Sequence, residues 1–226
     1  MDIQLHYTES GTGFPLILLH GNGEDSTYFE HQTNAFSDRF RVIALDTRGH
    51  GKSQRGSAPF SLDQFADDLF DFMNSHSIQR AHLLGFSDGA NIALSFVLKH
   101  PERVGKLILN GGNLRPWGVK FFVQLPVVLG YGIAKMISLF DKKAVPKAEL
   151  LGLMVTQPHF DAASLAKLNI PTLVIAGTND MIRDCHTREI HASIPGSELA
   201  IIPGDHFVAH GNPDAFNRRV LEFLNK

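Results

Sequence analysis

The sequence has little cysteine, no strong excess of either charge and no apolar segment at its start. Its single cysteine, Cys185, cannot form an internal disulfide bond, and this indicates a reducing compartment. The net charge is −2 with scattered lysines and arginines, so composition does not indicate nucleic acid or an anionic membrane as the main partner. Because no basic segment followed by a long apolar run opens the chain, we expect no secretory signal and a cytoplasmic location.

The chain also lacks internal repeats and low-complexity segments. Hydrophobic residues make up 43% of its 226 residues and charged residues 19%, as in ordinary soluble globular proteins. This length suffices for one domain with a full hydrophobic core and is short for two. We therefore expect a single core domain.

Short apolar runs alternate with amphipathic segments along the chain. The runs that predict strands cover residues 3–7, 16–19, 41–45, 81–84, 106–110, 171–177 and 199–202. The segments that predict helices cover residues 28–36, 62–73, 90–99, 184–193 and 213–224. The run at residues 16–19 is continuously apolar, which is typical of a strand covered on both faces. The alternation predicts an α/β fold with a doubly wound, mainly parallel sheet and helices on both faces.

The segment Gly85-x-Ser87-x-Gly89 lies between a predicted strand and a predicted helix. A strand can turn this sharply into a helix only where the residues flanking the turn lack bulk, because the two backbones nearly touch. Ser87 then projects its hydroxyl, and the N–H of Asp88 is a free donor at the positive end of the helix dipole. The segment predicts a nucleophile beside a donor for an anion; the alternative is a serine in a glycine-rich connection.

Polar residues follow the predicted strands at their carboxyl ends, where ligands bind in sheets of this kind. They include one nucleophile, one carboxylate and one histidine, in the chain order Ser87, Asp180 and His206. A serine hydroxyl is a weak nucleophile unless an imidazole takes its proton and a carboxylate orients that imidazole. These three residues are therefore candidates for a catalytic triad.

These motifs together resemble the α/β-hydrolase superfamily over nearly the whole chain. The resemblance is carried by His20-Gly21, Asp46-x-Arg48-Gly49-His50-Gly51-x-Ser53, Gly85-x-Ser87-x-Gly89, Gly177-x-x-Asp180 and Gly204-x-His206. It implies that Ser87 is the nucleophile, that Asp180 is the triad acid and that His206 is the general base and acid. It also implies oxyanion donors at the N–H groups of Asn22 and Asp88, and neither a metal nor an organic cofactor.

Family members usually open with a pair of antiparallel strands, whereas only residues 3–7 are available here for this role. We therefore expect a sheet of about seven strands, which departs from the family pattern at its edge.

Other residues compete for the predicted roles. Asp184 or Asp205 could supply the triad acid, although Asp205 adjoins the histidine and would have difficulty reaching its ring. His206 and His210 are four residues apart, as metal ligands on a helix are, but no cysteine or glutamate completes a set, so we expect no metal site. Arg48 as a clamp for a substrate carboxylate is an alternative to a role within its own loop.

Residues 113–160 interrupt the alternation and are rich in large apolar side chains. By position the segment resembles the small helical cap that the family inserts after its sixth strand. We therefore assign residues 1–112 and 161–226 to the core domain and residues 113–160 to a cap. The residues expected to line an apolar substrate pocket are Trp117, Phe121, Phe122 and Phe207.

The apolar stretch of residues 121–140 has two alternative interpretations. It contains one charge, Lys135, so a membrane span must be considered, but Pro126 and two glycines make it a poor one and we expect no span. Alternatively its side chains bury a dimer or domain contact. No pattern in the sequence specifies an oligomeric state.

A serine at the nucleophile position implies attack on a carbonyl and an acyl-enzyme, whereas dehalogenases and epoxide hydrolases of this fold have an aspartate there. We expect a cofactor-free serine hydrolase of carboxylesterase type, acting on a small to medium apolar ester or another small-molecule acyl substrate. Thioesterase, amidase and carbon–carbon bond hydrolase are alternatives with the same triad. A member that only binds a small ligand or serves as an interaction scaffold is the alternative of another class.

Overall fold

The computed structural model describes residues 2–226 and contains one seven-stranded sheet. The strands are β1 (Tyr7–Ser10), β2 (Phe14–Leu19), β3 (Phe40–Leu45), β4 (Ala81–Phe86), β5 (Val104–Asn110), β6 (Thr172–Gly177) and β7 (Glu198–Ile202). Their spatial order is β1-β3-β2-β4-β5-β6-β7, and every neighbouring pair is parallel except β1 with β3. The predicted α/β fold with a mainly parallel sheet of seven strands is confirmed.

Helices cover both faces of this sheet. They are α1 (Glu30–Phe36), α2 (Leu62–Ser75), α3 (Asp88–Lys99), α4 (Phe121–Ser138), α5 (Val145–Thr156), α6 (Ala162–Leu165), α7 (Asp184–Ser193), α8 (Val208–Gly211) and α9 (Pro213–Leu224). In β2, Ile17 and Leu19 pack in the layer of α2, α3 and α7, whereas Leu16 and Leu18 pack in the layer of α1 and α9. A continuous apolar run thus reflects burial on both faces.

The first strand lies three to four residues later than the sequence pattern predicts. Ile3 and Leu5 are buried in the core, but the residues that pair with β3 begin at Tyr7, opposite Leu45, and end at Ser10. The apolar alternation of residues 3–7 therefore reflects burial beneath α2 and not strand pairing.

The segment between β5 and β6 contains α4, α5 and α6. Helices α4 and α5 pack against each other, and the side chain of Gln124 in α4 donates a hydrogen bond to the carbonyl of Met154 in α5 at 2.9 Å. The start of α4 is held to the core because the N–H of Lys120 donates to the carbonyl of Met181 at 2.8 Å. Among the described residues, α4 is the helix long and apolar enough, by length and composition, to cross a membrane.

Candidate active site

Ser87 occupies the turn that joins β4 to α3. Its backbone has φ 54° and ψ −118°, a conformation that non-glycine residues seldom adopt and that holds the side chain away from both flanking elements. Gly85 and Gly89 allow this turn: a Cβ on Gly85 would overlap the backbone of Gly89, and one on Gly89 would overlap the carbonyl of Leu19. The sharp turn predicted from the two glycines is thus present.

Gly89→Ala is expected to lower the free energy of unfolding by about 3 kcal/mol, because β2 would have to shift to admit the new methyl group. The matched control is Gly132→Ala in α4, where a Cβ would meet no atom within 4 Å. This control should gain about 0.5–1 kcal/mol in the free energy of unfolding, because alanine loses less backbone entropy than glycine when the helix forms. Urea unfolding of both variants tests the difference. Equal stability of Gly89→Ala and the native protein would contradict the tight turn.

The histidine and the carboxylate predicted from the strand ends meet Ser87. His206 Nε2 lies 3.0 Å from Ser87 Oγ, and His206 Nδ1 lies 2.6 Å from Asp180 Oδ1. Because a carboxylate only accepts hydrogen bonds, the pairing places the imidazole hydrogen on Nδ1 and leaves Nε2 free to accept the serine hydrogen. Both side chains are buried, so the pair is shielded from water.

Asp180 is itself held by backbone N–H groups at the end of β6 and in the loop that follows it. Its Oδ1 accepts the N–H of Ile182 at 2.9 Å, and its Oδ2 accepts the N–H of Gly177 at 3.3 Å. The two alternative acids are engaged elsewhere. Asp184 forms an ion pair with Arg188 at 2.7 Å on the exposed side of α7, and Asp205 accepts the N–H of Phe207 at 2.9 Å.

The two predicted oxyanion donors lie beside Ser87. Asn22 and Asp88 both line the cavity in front of its hydroxyl, and within residues 2–226 their backbone N–H groups have no hydrogen-bond acceptor. Asp88 is the first residue of α3, so its N–H also carries the positive end of the helix dipole. The Asn22 side chain donates to the carbonyl of Leu150 in α5 at 2.7 Å, which ties the loop after β2 to that helix.

The loop after β3 is held in place by buried polar side chains. Buried Arg48 donates from Nε and Nη2 to Asp68 at 2.7 Å and from Nη2 to Asp2 at 2.6 Å. These bonds raise the pKa of Arg48 above its usual range and leave no charge for a substrate carboxylate. His20 accepts the N–H of Thr47 at 3.0 Å, and burial lowers its pKa to about 4. Arg48 and His20 therefore fix loop geometry, and the clamp alternative for Arg48 does not hold.

A cavity of about 90 Å³ lies in front of Ser87. Phe207 lines it as predicted, whereas Trp117, Phe121 and Phe122 do not and are 53%, 58% and 88% exposed. The pocket prediction for these three aromatic residues is thereby corrected. Phe121 and Phe122 at the start of α4, and Trp117 in the short helical turn Pro116–Gly118 before it, face solvent, and other residues build the wall. The wall residues that the sequence pattern did not single out are Glu24, Phe86, Asn113, Val119, Met154, Gln157, Met181 and Ile182.

Some of these wall residues follow strand ends and could have been found by that rule. Glu24 lies in the loop after β2, and Met181 and Ile182 follow the Gly177-x-x-Asp180 motif after β6. Met154 lies on α5, where no residue pattern distinguishes a side chain that faces the site. Within residues 2–226 no group of three or more His, Cys, Asp or Glu side chains could hold a metal ion.

Two carboxyl groups that line the cavity, those of Glu24 and Asp88, have raised pKa values. Burial raises the pKa of Glu24 to about 7, although the Gly21 N–H that donates to it at 3.2 Å and the nearby His206 act in the opposite direction. Burial likewise raises the pKa of Asp88 to about 6 against the Asn91 amide, which donates to its Oδ1 at 3.3 Å. Near neutral pH both groups therefore exchange between charged and neutral forms.

Glu24→Gln is expected to raise Tm at about pH 8 and to leave it nearly unchanged at about pH 4. In the folded protein the pKa of Glu24 is about 7, above the ordinary value of 4.5. Burial of the charged carboxylate therefore destabilises the folded state fully above pH 7. At a pH well below 4.5 the group is neutral in both states and this destabilisation is absent. The destabilisation by Glu24 thus grows as pH rises through this window. Thermal melts across pH test it against Glu222→Gln, an exposed residue of α9. A gain from Glu24→Gln that is equal at both pH values would contradict the raised pKa.

Comparison with known proteins places this geometry in a family. The family model described as alpha/beta hydrolase fold matches residues 15–131. A 2-hydroxy-6-oxononadienedioate/2-hydroxy-6-oxononatrienedioate hydrolase of Burkholderia vietnamiensis is 30% identical, over 100% of this chain and 92% of that protein. A protein of Caulobacter sp. that is named as a carbamate hydrolase, RutD, is 29% identical over 93% of this chain and 90% of that protein.

A solved structure of a hydrolase has the same fold as this chain. The thermophilic esterase of Thermogutta terrifontis superposes with a TM-score of 0.80 at 25% identity, covering 99% of this chain and 93% of that one. Fold, motif order and family match all point the same way. The chain therefore belongs to the alpha/beta hydrolase family and is a hydrolase.

Proposed function

We propose that the protein is a serine hydrolase that cleaves carboxylic esters through an acyl-enzyme. The observation that carries this proposal is the continuous hydrogen-bonded chain from Ser87 Oγ through His206 to Asp180, at 3.0 Å and 2.6 Å. Such a chain activates a hydroxyl for attack on a carbonyl carbon. A protein that only binds a ligand has no need for a buried imidazole held between a serine and a carboxylate.

In the proposed reaction, Ser87 Oγ bonds to the ester carbonyl carbon while His206 Nε2 takes the hydroxyl proton. The carbonyl oxygen becomes an anion and accepts the N–H groups of Asn22 and Asp88. His206 then gives its proton to the alcohol oxygen as the carbon–oxygen bond breaks, which leaves the acyl group on Ser87. Water repeats these steps: His206 takes a proton from it, the hydroxide adds to the acyl carbon, and Ser87 leaves with the proton returned.

The two N–H groups stabilise charge that exists only in the transition state and in the tetrahedral intermediate. Each such donor contributes roughly 10²–10³ in rate in enzymes of this kind. Both are backbone groups, so no side-chain substitution removes them. Their alignment depends on the turn at Ser87 and on the loop after β2, which the Asn22–Leu150 bond holds in place.

The size and chemistry of the cavity favour a short apolar acyl group. Its volume of about 90 Å³ is smaller than the apolar cavities of about 150 Å³ that hold a benzene molecule. Val119, Met154, Ile182 and Phe207 supply apolar wall around Ser87. An acetyl to butyryl group fits this space better than a long alkyl chain.

The charges of the wall favour a neutral ester over the dicarboxylate that the Burkholderia relative's name describes. None of the described residues that line the cavity is lysine or arginine, whereas Glu24 and Asp88 both line it. A dianionic substrate would meet two acidic groups without a fixed counter-charge. We therefore place ester cleavage before carbon–carbon bond cleavage of a dienedioate.

Hydrolysis of p-nitrophenyl esters from acetate to decanoate tests the proposal. We expect an initial burst of nitrophenol and a kcat/KM that falls at least about 10-fold from butyrate to octanoate, because longer chains do not fit the cavity. Met154→Ala should shift the preference toward longer acyl chains, because removal of a wall side chain enlarges the cavity. Met136→Ala is its matched control, because Met136 is exposed and does not line the cavity. Absence of turnover across the series, together with turnover of a thioester, an amide or the dienedioate, would contradict ester specificity.

A further inference from the structure

The outer side of α4 is an exposed apolar face. We define this apolar face by the residues that recur at helical spacing along it: Phe122, Leu125, Leu129, Ile133, Met136 and Phe140, which follows the helix end. Phe122 and Phe140 are 88% and 89% exposed, and the other four are between 42% and 60% exposed. Soluble monomers seldom leave so many large apolar side chains together in water unless the patch binds something.

The substrate cavity does not account for this face. None of its six residues lines the cavity, and α4 packs on α5 through its opposite side, where Ala134 is buried and Gln124 reaches Met154. The apolar face therefore points away from both the site and the core. Its partner must lie outside the described chain.

Charge around the apolar face indicates the chemistry of that partner. Residues 113–160 carry six basic and only two acidic side chains, a net charge of +4 in a chain whose total is −2. The basic residues are Arg115, Lys120, Lys135, Lys142, Lys143 and Lys147. Lys120 immediately precedes α4, Lys135 lies in its last turn, and three lysines follow it. The apolar face is thus bordered along the chain by positive charge.

The two acidic residues of this segment do not neutralise the lysines. Glu149 is paired with Arg55 of the core at 2.6 Å, and Asp141 accepts the backbone N–H of Lys143 at 2.9 Å. Within residues 2–226, Lys142, Lys143 and Lys147 have no ion-pair partner. Their charges are therefore available to an external anion.

We propose that the apolar face of α4 and its bordering lysines bind the surface of an anionic lipid membrane. The helix would lie in the plane of the interface, with the large apolar side chains among the acyl chains and the lysines at the headgroup phosphates. Each lysine near an anionic surface adds to the affinity, so apolar burial and charge act together.

Two other arrangements fit the structure less well. A second copy docked on the same face would bring two segments of charge +4 together, which opposes association. A span across the bilayer would have to separate α4 from the core, yet Lys120 at its start is bonded to Met181 and α5 after it is bonded to Asn22. A helix lying flat on the surface keeps all of these contacts.

Vesicle flotation tests the proposal with phosphatidylcholine vesicles and with vesicles that also contain phosphatidylglycerol. We expect the full chain to float with the anionic vesicles at low salt and to be released at high salt. Leu129→Ser combined with Phe140→Ser should abolish flotation. Lys142→Gln combined with Lys143→Gln should weaken it at least about 10-fold, since each lysine near the surface contributes to binding.

Ile201→Ser is the matched control, because Ile201 is a 40% exposed apolar residue of β7, outside residues 113–160. It should float as the native protein does, and circular dichroism should show that all variants are folded. The proposal is overturned by no flotation with either vesicle, by equal flotation with neutral vesicles, or by a dimer in sedimentation that Leu129→Ser with Phe140→Ser dissociates.

Discussion

Replacing Ser87 with alanine is expected to lower kcat for ester hydrolysis about 10⁶-fold, because the hydroxyl that forms the acyl-enzyme is gone while the rest of the site remains. Loss of the nucleophile in serine hydrolases leaves only the rate enhancement that comes from binding and the oxyanion donors. The fold should be unaffected, since alanine keeps the Cβ that already exists at φ 54°. His206 loses one hydrogen-bond partner at 3.0 Å but keeps Asp180.

The measurement is stopped-flow release of nitrophenol from p-nitrophenyl acetate, combined with the mass of the quenched protein. The native protein should gain one acetyl group during the burst, and Ser87→Ala should gain none and show no burst. Ser75→Ala is the matched control, because its hydroxyl contacts groups at the end of α2, far from the reaction: it donates to the carbonyl of Phe72 and lies 3.1 Å from Nδ1 of His76. A burst and acetyl adduct that persist in Ser87→Ala would place the nucleophile elsewhere.

Most of the sheet could be predicted from the sequence because local pattern and global burial agree there. The runs at residues 16–19 and 42–45 are apolar at every position, and a strand with helices on both faces is the arrangement that buries all of them. The edge strand could not be located in the same way. Its pairing partner, β3, lies elsewhere in the chain, and burial of Ile3 and Leu5 produces the same alternation as pairing would.

The geometry around Ser87 could be predicted for a different reason. In a parallel sheet all carboxyl ends lie on one edge, so Ser87, Asp180 and His206 are neighbours in space although up to 119 residues separate them in sequence. The sequence needed only to show which polar residues follow each strand. It did not need to show how those strands pair.

The wall of the cavity and the exposed face of α4 could not be predicted from composition. The wall is built by loops after the strands and by α5, and the exposed face of α4 depends on how that helix is rotated about its axis. Phe121 and Phe122 are apolar enough for a pocket, but composition does not specify which face of α4 meets the core. The same holds for Trp117 in the turn before this helix. Whole-chain charge has the same limitation. A total of −2 does not show that residues 113–160 carry +4, and a count of charges does not show that they border an exposed apolar face.

Asp180→Asn is expected to lower kcat about 10⁴-fold with little change in KM. In the native protein the carboxylate accepts the hydrogen of His206 Nδ1 at 2.6 Å, which leaves Nε2 free to take the proton of Ser87. An asparagine amide can present its N–H₂ group to Nδ1, and the imidazole then carries its hydrogen on Nε2, where it cannot act as a base. The size of the fall follows from loss of the general base with binding groups intact.

Asp184→Asn and Asp205→Asn are the matched controls, since both remove an aspartate charge near the same strand ends without touching His206. Each should keep kcat close to that of the native protein. Asp180 also accepts the N–H groups of Gly177 and Ile182, so Asp180→Asn is expected to lose about 1–3 kcal/mol of stability in addition. Measuring kcat per folded molecule, with unfolding followed in parallel, separates the two effects. Loss of activity in Asp184→Asn or Asp205→Asn, with activity retained in Asp180→Asn, would contradict this assignment. The acid that orients His206 during turnover would then not be the residue that contacts it in this structure. The loop after β6 or β7 would have to rearrange for the proposed ester mechanism to operate.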